Sequence, residues 1–190
     1  MQIILPDGTL REYEKTVNGF DVASSISEGL LRAAVAIKVN GQLQDLSESI
    51  EDKSEVSILT VRDQEGLDIM RHTITAQVLA RAVKELYPGC KLAIGPTIEN
   101  GFYYDVEFEE ALSLDDLPKI EKKMKEIIGQ KNNIVRKMTP RLEAIQLFED
   151  RNEPYKVEII QSTENQEIFP IYHQEGSDFV DLCRGPHLPN

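Results

Sequence analysis

Residues 1–14 read MQIILPDGTLREYE, and residues 36–46 read AIKVNGQLQDL. Each places apolar residues on both sides of a turn dipeptide, Asp7-Gly8 in the first and Asn40-Gly41 in the second. Such dipeptides supply the positive φ that a tight hairpin turn demands, so each stretch predicts two antiparallel strands. Between them, GFDVASSISEGLLRAAV (19–35) sets Phe20, Val22, Ala23, Ile26 and Leu30 at helical spacing, with Asp21 as cap or first-turn acid. EVSILTV (55–61) is a short buried strand. Hairpin, helix, hairpin and strand within residues 1–62 predict a sheet with one helix laid across it, a small α+β unit.

The boundary to a second unit is expected near Arg62–Gly66, giving domains 1–62 and 63–190. RDQEGLDIMRHT leads into a long helix with the apolar stripe Val78, Leu79, Ala82, Val83 and Leu86, ended by Pro88-Gly89. KLAIGPTIENGFYYDVEF reads as strand, loop and strand. SLDDLPKIEKKMKEIIGQ reads as an amphipathic helix capped by Ser113 or Asp115, with Gly129 near its end. NIVRKMT is a strand, and PRLEAIQLFEDR a helix opened by Pro140. YKVEIIQS is expected to be a strand, and IFPIYHQEGSDFVDLCRG a hairpin over Gly176.

The 190 residues are 41% hydrophobic and 28% charged, enough for a packed core. No apolar run approaches the roughly 18–20 residues that span a bilayer, so no membrane partner is expected. The first residues lack the basic and apolar regions of a signal peptide. Two distant cysteines, Cys90 and Cys183, suit free thiols in the cytoplasm. A net charge of −12 argues against broad duplex binding. Lys119–Arg141 runs against that trend, with eight basic and two acidic residues. A solvated helix face explains it more simply than a phosphate-steering patch.

Several residues carry candidate chemistry. DLCRGPH (181–187) sets Cys183 and His187 at C-x3-H spacing around Gly185-Pro186. These could be two metal ligands or a thiol and an imidazole, and His187 could equally be a surface histidine. His72 and Gln77 lie in RHTITAQVLARAV, where His72 by itself reads as solvent-facing. In GPTIENGFYYD (95–105), Phe102, Tyr103 and Tyr104 are consecutive, so Tyr103 cannot share a strand face with both neighbours. One aromatic face is expected to be buried; the other could stack a nucleobase. Lys156 is a lone cation, by default a surface lysine.

The order GPTIENGFYYD, then YKVEII, then FVDLCRGPH, behind the hairpin-rich front, resembles the N-terminal half of the bacterial threonyl-tRNA synthetases over essentially the whole chain. The resemblance implies a TGS module with a ubiquitin-like β-grasp fold. Behind it comes a larger α+β editing domain, its long helix packed on an antiparallel sheet. It also implies an editing hydrolase that removes serine wrongly esterified to tRNA(Thr), binding the acceptor end. A missing methyl group is worth only about 1–3 kcal/mol of discrimination, so a second sieve is needed. Carried over, His187 and Lys156 would activate water and stabilise charge, and Asp181 and Cys183 would shape a serine-sized cavity. Tyr104 would contact adenosine or the aminoacyl group. Gly95 and Pro96 of the loop and Thr73 and Gln77 of the helix complete the implied substrate contacts. No metal is expected for editing; zinc on His72, Cys183 and His187 is the disfavoured alternative. ATP and a zinc ion would belong to a further catalytic domain. The chain itself is expected to be monomeric, the full-length enzyme homodimeric, and a stop after GPHLPN to fall short of a linker helix.

The sequence departs from the family at one point. The family pattern is H-x3-H directly before an apolar triplet. Counting back from Val78-Leu79-Ala80, Gln77 takes the second position and Thr73 the first. Counting forward from EGLDIMRH, His72 takes the first. The counts differ by one residue, which rotates a helical side chain by about 100°, so a bulge or an altered helix start is expected. Gln cannot act as a base near neutral pH. A tRNA acceptor-end binding module with little hydrolysis is therefore the alternative.

Overall fold

A computed structural model describes residues 1–190. The chain divides into two compact units, Met1–Met70 with Gly185–Pro189, and Arg71–Arg184 with Asn190.

In the first unit, β1 (Gln2–Ile4) and β2 (Leu10–Glu12) form the expected hairpin. Its loop is wider than two residues. Gly8 donates to Leu5 O at φ +82°, Leu5 N donates to Thr9 O, and Asp7 accepts from Thr9 N. Pro6 presets the turn and Gly8 takes its left-handed position, a three-residue hairpin connection. The expected single helix is two: α1 (Gly19–Ile26) and α2 (Glu28–Ala33). Ser27 between them is extended, and its Oγ accepts from Leu30 N at 3.0 Å, capping α2. Asn18 and Asp21 cap α1 reciprocally, each side chain bonding the other's backbone N–H at 3.1 Å.

The strands β3 (Ala34–Val39) and β4 (Gln42–Gln44) turn at Asn40-Gly41, with φ of 50° and 84°. Strand β5 (Ser54–Thr60) then completes a sheet of order β2-β1-β5-β3-β4, in which β1 and β5 are parallel. This is the β-grasp arrangement. Ile3, Val22, Ala23, Ile37 and Val56 fill the core. Gly19 lets α1 lie close, since a Cβ there would stand 2.6 Å from Ile37 Cγ2 and 2.8 Å from Leu46 Cδ2.

The long helix is three pieces: α3 (Gln64–Thr73), a π-helical turn over Ile74–Leu79, and α4 (Ala80–Leu86). Ala80 N donates to Thr75 O, five residues back rather than four. The second unit starts within this helix. Next come β6 (Lys91–Leu92), β7 (Thr97–Ile98), β8 (Gly101–Phe102) and β9 (Val106–Glu107). In place of one strand–loop–strand, β7 pairs with β8 inside the β6–β9 pair, so the segment is one long bent hairpin. Ala93 N donates to Asp105 O and Asp105 N to Ile94 O, which carries the pairing across the bend.

A 3-10 turn over Leu114–Asp116, held by a Ser113–Asp116 capping box, leads into helix α5 (Leu117–Gln130), which Lys131 stops at φ 52°, two residues beyond Gly129. Strand β10 (Ile134–Pro140) and helix α6 (Arg141–Asp150) lie where expected. The segment YKVEIIQS does not: it belongs to helix α7 (Pro154–Ser162). Its β-branched residues suggest a strand, but Lys156, Val157 and Ile160 are buried at helical spacing. Pro154 sits in the first turn, where its missing N–H costs nothing. Strands β11 (Ile168–Gln174) and β12 (Val180–Leu182) form the hairpin over Gly176 and complete a β10-β11-β12 antiparallel sheet. Helices α6 and α7 cover it through Ala144, Phe148, Val157 and Ile160, against Phe169 and Ile171. No helix is long and apolar enough to cross a membrane.

Candidate functional site

Within the second unit, three elements converge. His72 comes from the last turn of α3, Lys156 from α7, and Asp181 and Cys183 from β12 and the residue just beyond it. His72 Nε2 and Cys183 Sγ stand 2.9 Å apart, across 111 residues of sequence. Lys156 Nζ is 2.7 Å from Asp181 Oδ1, and both side chains are buried. The same Nζ donates to Tyr104 Oη at 3.2 Å and lies 5.8 Å from the centre of the Tyr104 ring.

The electrostatics follow from this burial. Desolvation lowers the pKa of His72 below the usual imidazole value, so the ring is neutral near pH 7. Burial raises the Asp181 carboxyl, and the ammonium of Lys156 offsets part of that rise. Burial also lifts the Tyr104 phenol well above its ordinary value, helped by the charge of Asp181. The phenol stays protonated and, while its oxygen accepts from Lys156, keeps a proton to donate.

Tyr104 is held in place by Gly95. A Cβ on Gly95 would stand 2.6 Å from Thr75 Cγ2 and closer still to the Tyr104 ring. The bent hairpin thus packs a tyrosine onto the π turn through a position that only glycine fits. Pro96 accepts from Tyr103 N at 3.3 Å, which fixes the mouth of the inner hairpin. Tyr103 is the exposed ring, half accessible, while Phe102 and Tyr104 are partly buried. Thr73 and Gln77 are both buried. Gln77 Oε1 accepts from Gln174 Nε2 at 3.2 Å.

The sequence-predicted residues divide as follows. The contacts above join His72 to Cys183, and Lys156 to Asp181 and Tyr104. Gly95 packs against Tyr104, Gln77 bonds Gln174, Pro96 accepts from Tyr103, and Thr73 is buried in the helix. His187 belongs to the first unit, where it is buried and its N–H donates to Asp45 Oδ1 at 2.8 Å. Three expectations change: His72, Lys156 and His187, read alone as surface residues, are all turned inward.

His72, Cys183 and His187 are the chain's candidate metal-ligand types. His72 and Cys183 are spaced as a hydrogen-bonded pair. Two ligands on one tetrahedral zinc stand about 3.5 Å apart, so binding the ion would require them to separate.

Sequence reasoning missed Glu153. It pairs with Lys84 at 2.5 Å, accepts from Leu92 N at 3.0 Å, and precedes the helix that carries Lys156. Pro154 is the signal that reveals it, since a proline in the first turn makes the preceding residue a cap. Glu153 and Lys84 line a cavity of about 420 Å³ together with Arg81, Lys156 and Asp181. His72, Tyr104 and Cys183 are not part of that lining, so the cavity adjoins the ion pair without containing the thiol–imidazole pair.

Residues 1–60 match the TGS domain family. The chain is 47% identical over 190 residues, its whole length, to the threonine--tRNA ligase of Francisella tularensis subsp. novicida strain U112. It is 50% identical over 188 residues, 99% of its length, to that of Acetivibrio thermocellus. It spans 29% of the length of each of these relatives. The TGS match and the end-to-end identity make the chain similar to the N-terminal region of threonine--tRNA ligases.

Proposed function

We propose that the second unit, residues 63–190 by the sequence reading, is an editing domain that hydrolyses the ester of tRNA(Thr) mischarged with serine. Residues 1–62 would be its TGS companion. The observation that supports it is the placement of Lys156: a cation held in the interior by Asp181 and Tyr104, with Cys183, whose thiol meets the His72 imidazole, two residues beyond Asp181. In this reading the acceptor end of the tRNA presents the seryl ester. His72 takes a proton from water as its oxygen attacks the ester carbonyl carbon. Lys156 stabilises the negative charge that develops on the carbonyl oxygen. The bond from that carbon to the ribose oxygen then breaks, the ribose oxygen takes a proton, and serine leaves. Asp181 and Cys183 set the depth of a pocket that excludes the extra methyl of threonine. Tyr104 contacts the aminoacyl group or the terminal adenosine. Ligation of threonine with ATP, a homodimeric assembly and a cytoplasmic setting belong to the full-length protein in the same reading.

A second reading, an acceptor-end binding module with little hydrolysis, is favoured by Gln77. Its amide oxygen is engaged by Gln174, and an amide cannot serve as a base. One experiment separates the two. Ser-tRNA(Thr) and Thr-tRNA(Thr) are each incubated with the chain, with and without a chelator. Loss of the seryl ester alone, unchanged by chelator, is the expected result. Loss that a chelator abolishes would make the hydrolysis dependent on a metal ion. No loss with protein in excess over tRNA leaves the binding module.

A further inference from the structure

Gln174 ends β11, 97 residues along the chain from Gln77. Its Nε2 donates to the backbone carbonyl of Gln77 at 2.7 Å and to the side-chain oxygen of the same residue at 3.2 Å. Its own Oε1 accepts from Arg81 Nη1 at 2.9 Å. Arg81 is in turn fixed by Glu85 at 2.6 Å and by Gln130 at 2.7 Å. Gln77, Arg81 and Gln174 are all buried. A buried polar chain of this kind holds its geometry only when every member is present, because each group lost leaves another unsatisfied.

The chain of bonds meets the helix within its π turn. A side chain inserted at a helix carbonyl is one of the few causes that keep a helix from its regular ladder. If the turn relaxed to α-geometry, the residues before it would rotate by about 100° relative to those after it. The downstream half is anchored by Ala80 and Val83 in the core, so the rotation would fall on His72. The strand that carries Gln174 continues through its hairpin to Asp181 and Cys183.

We propose that Gln174 is a positioning residue: its side-chain amide holds the π turn open and thereby keeps His72 against Cys183. The inference goes beyond the hydrolytic reading and stands whether or not the site cleaves an ester.

The test is Gln174→Met, which keeps the length of the side chain and removes its amide. It is read by nuclear Overhauser contacts between the His72 ring and the Cys183 β-protons, and by amide exchange. The contacts should be lost, and exchange over residues 74–80 should rise about tenfold while β10–β12 keep their protection. Contacts that survive in Gln174→Met overturn the proposal. Deletion of Ile74 supplies the second arm. The shortened helix needs no π turn, so adding Gln174→Met to it should leave the His72–Cys183 contacts in place. If Gln174→Met alone unfolds and the double variant folds with those contacts, the proposal holds. If the double variant also unfolds, or folds without them, Gln174 is a core residue and nothing more.

Discussion

Lys156 shows how much one residue's surroundings decide. On an open surface it would be a solvated cation whose loss costs little. Buried against Asp181, it is half of an ion pair whose other half has no water to turn to. Removing one partner of such a pair costs about 3–5 kcal/mol, because a charge is left uncompensated, whereas removing both is far milder. Lys156→Met should therefore lower stability by about that amount in urea denaturation, and Lys156→Met with Asp181→Leu should recover most of it. A double variant no better than the single would show that the two side chains do not act as a pair. The identities of Lys156, Asp181, Cys183 and Tyr104 as site candidates were legible from motif order. Their coupling was not, because contacts across tens of residues leave no local pattern. Gln174 and Arg81 were invisible for the same reason.

At the scale of elements, the hairpins, the helix around Leu117–Gln130 and the final strand pair follow from turn dipeptides and apolar spacing. Helix α7 does not, because Val157, Ile159 and Ile160 favour a strand while burial on one helical face decides the outcome. The one-residue conflict around His72 and Gln77 was legible as a conflict. Its resolution as a π turn over Ile74–Leu79 depended on partners elsewhere in the fold. The bent hairpin leans on the same turn through Gly95. Gly95→Ala would force Tyr104 or Thr75 to move, and such overpacking costs about 1–3 kcal/mol. A matching fall in thermal stability is expected, with a weakened Lys156–Tyr104 contact seen as a shift of the Tyr104 ring resonances. Unchanged ring shifts would mean that the glycine is not what seats the tyrosine.

At the scale of the whole molecule, the net charge of −12 sets the terms for any nucleic-acid partner. The basic stretch from Lys119 to Arg141 is partly neutralised, since Lys119, Lys123 and Lys125 pair with Asp116, Glu85 and Glu121. Contact with a tRNA acceptor end should then involve few phosphates. The logarithm of its affinity should fall with the logarithm of salt at a slope near −2 to −3, measured by anisotropy of a labelled acceptor hairpin. A slope steeper than about −6 would point to an extended phosphate-binding face instead. The helix that begins at Gln64 has one more consequence, for how this chain can vary in length. Loss of one residue inside Ile74–Leu79 is taken up as a change from π to α winding, so the buried stripe that starts at Ala80 keeps its phase. The same change three residues later would turn Val83 out of the core. The π turn is thus the stretch of this helix where a one-residue deletion leaves the phase downstream unchanged.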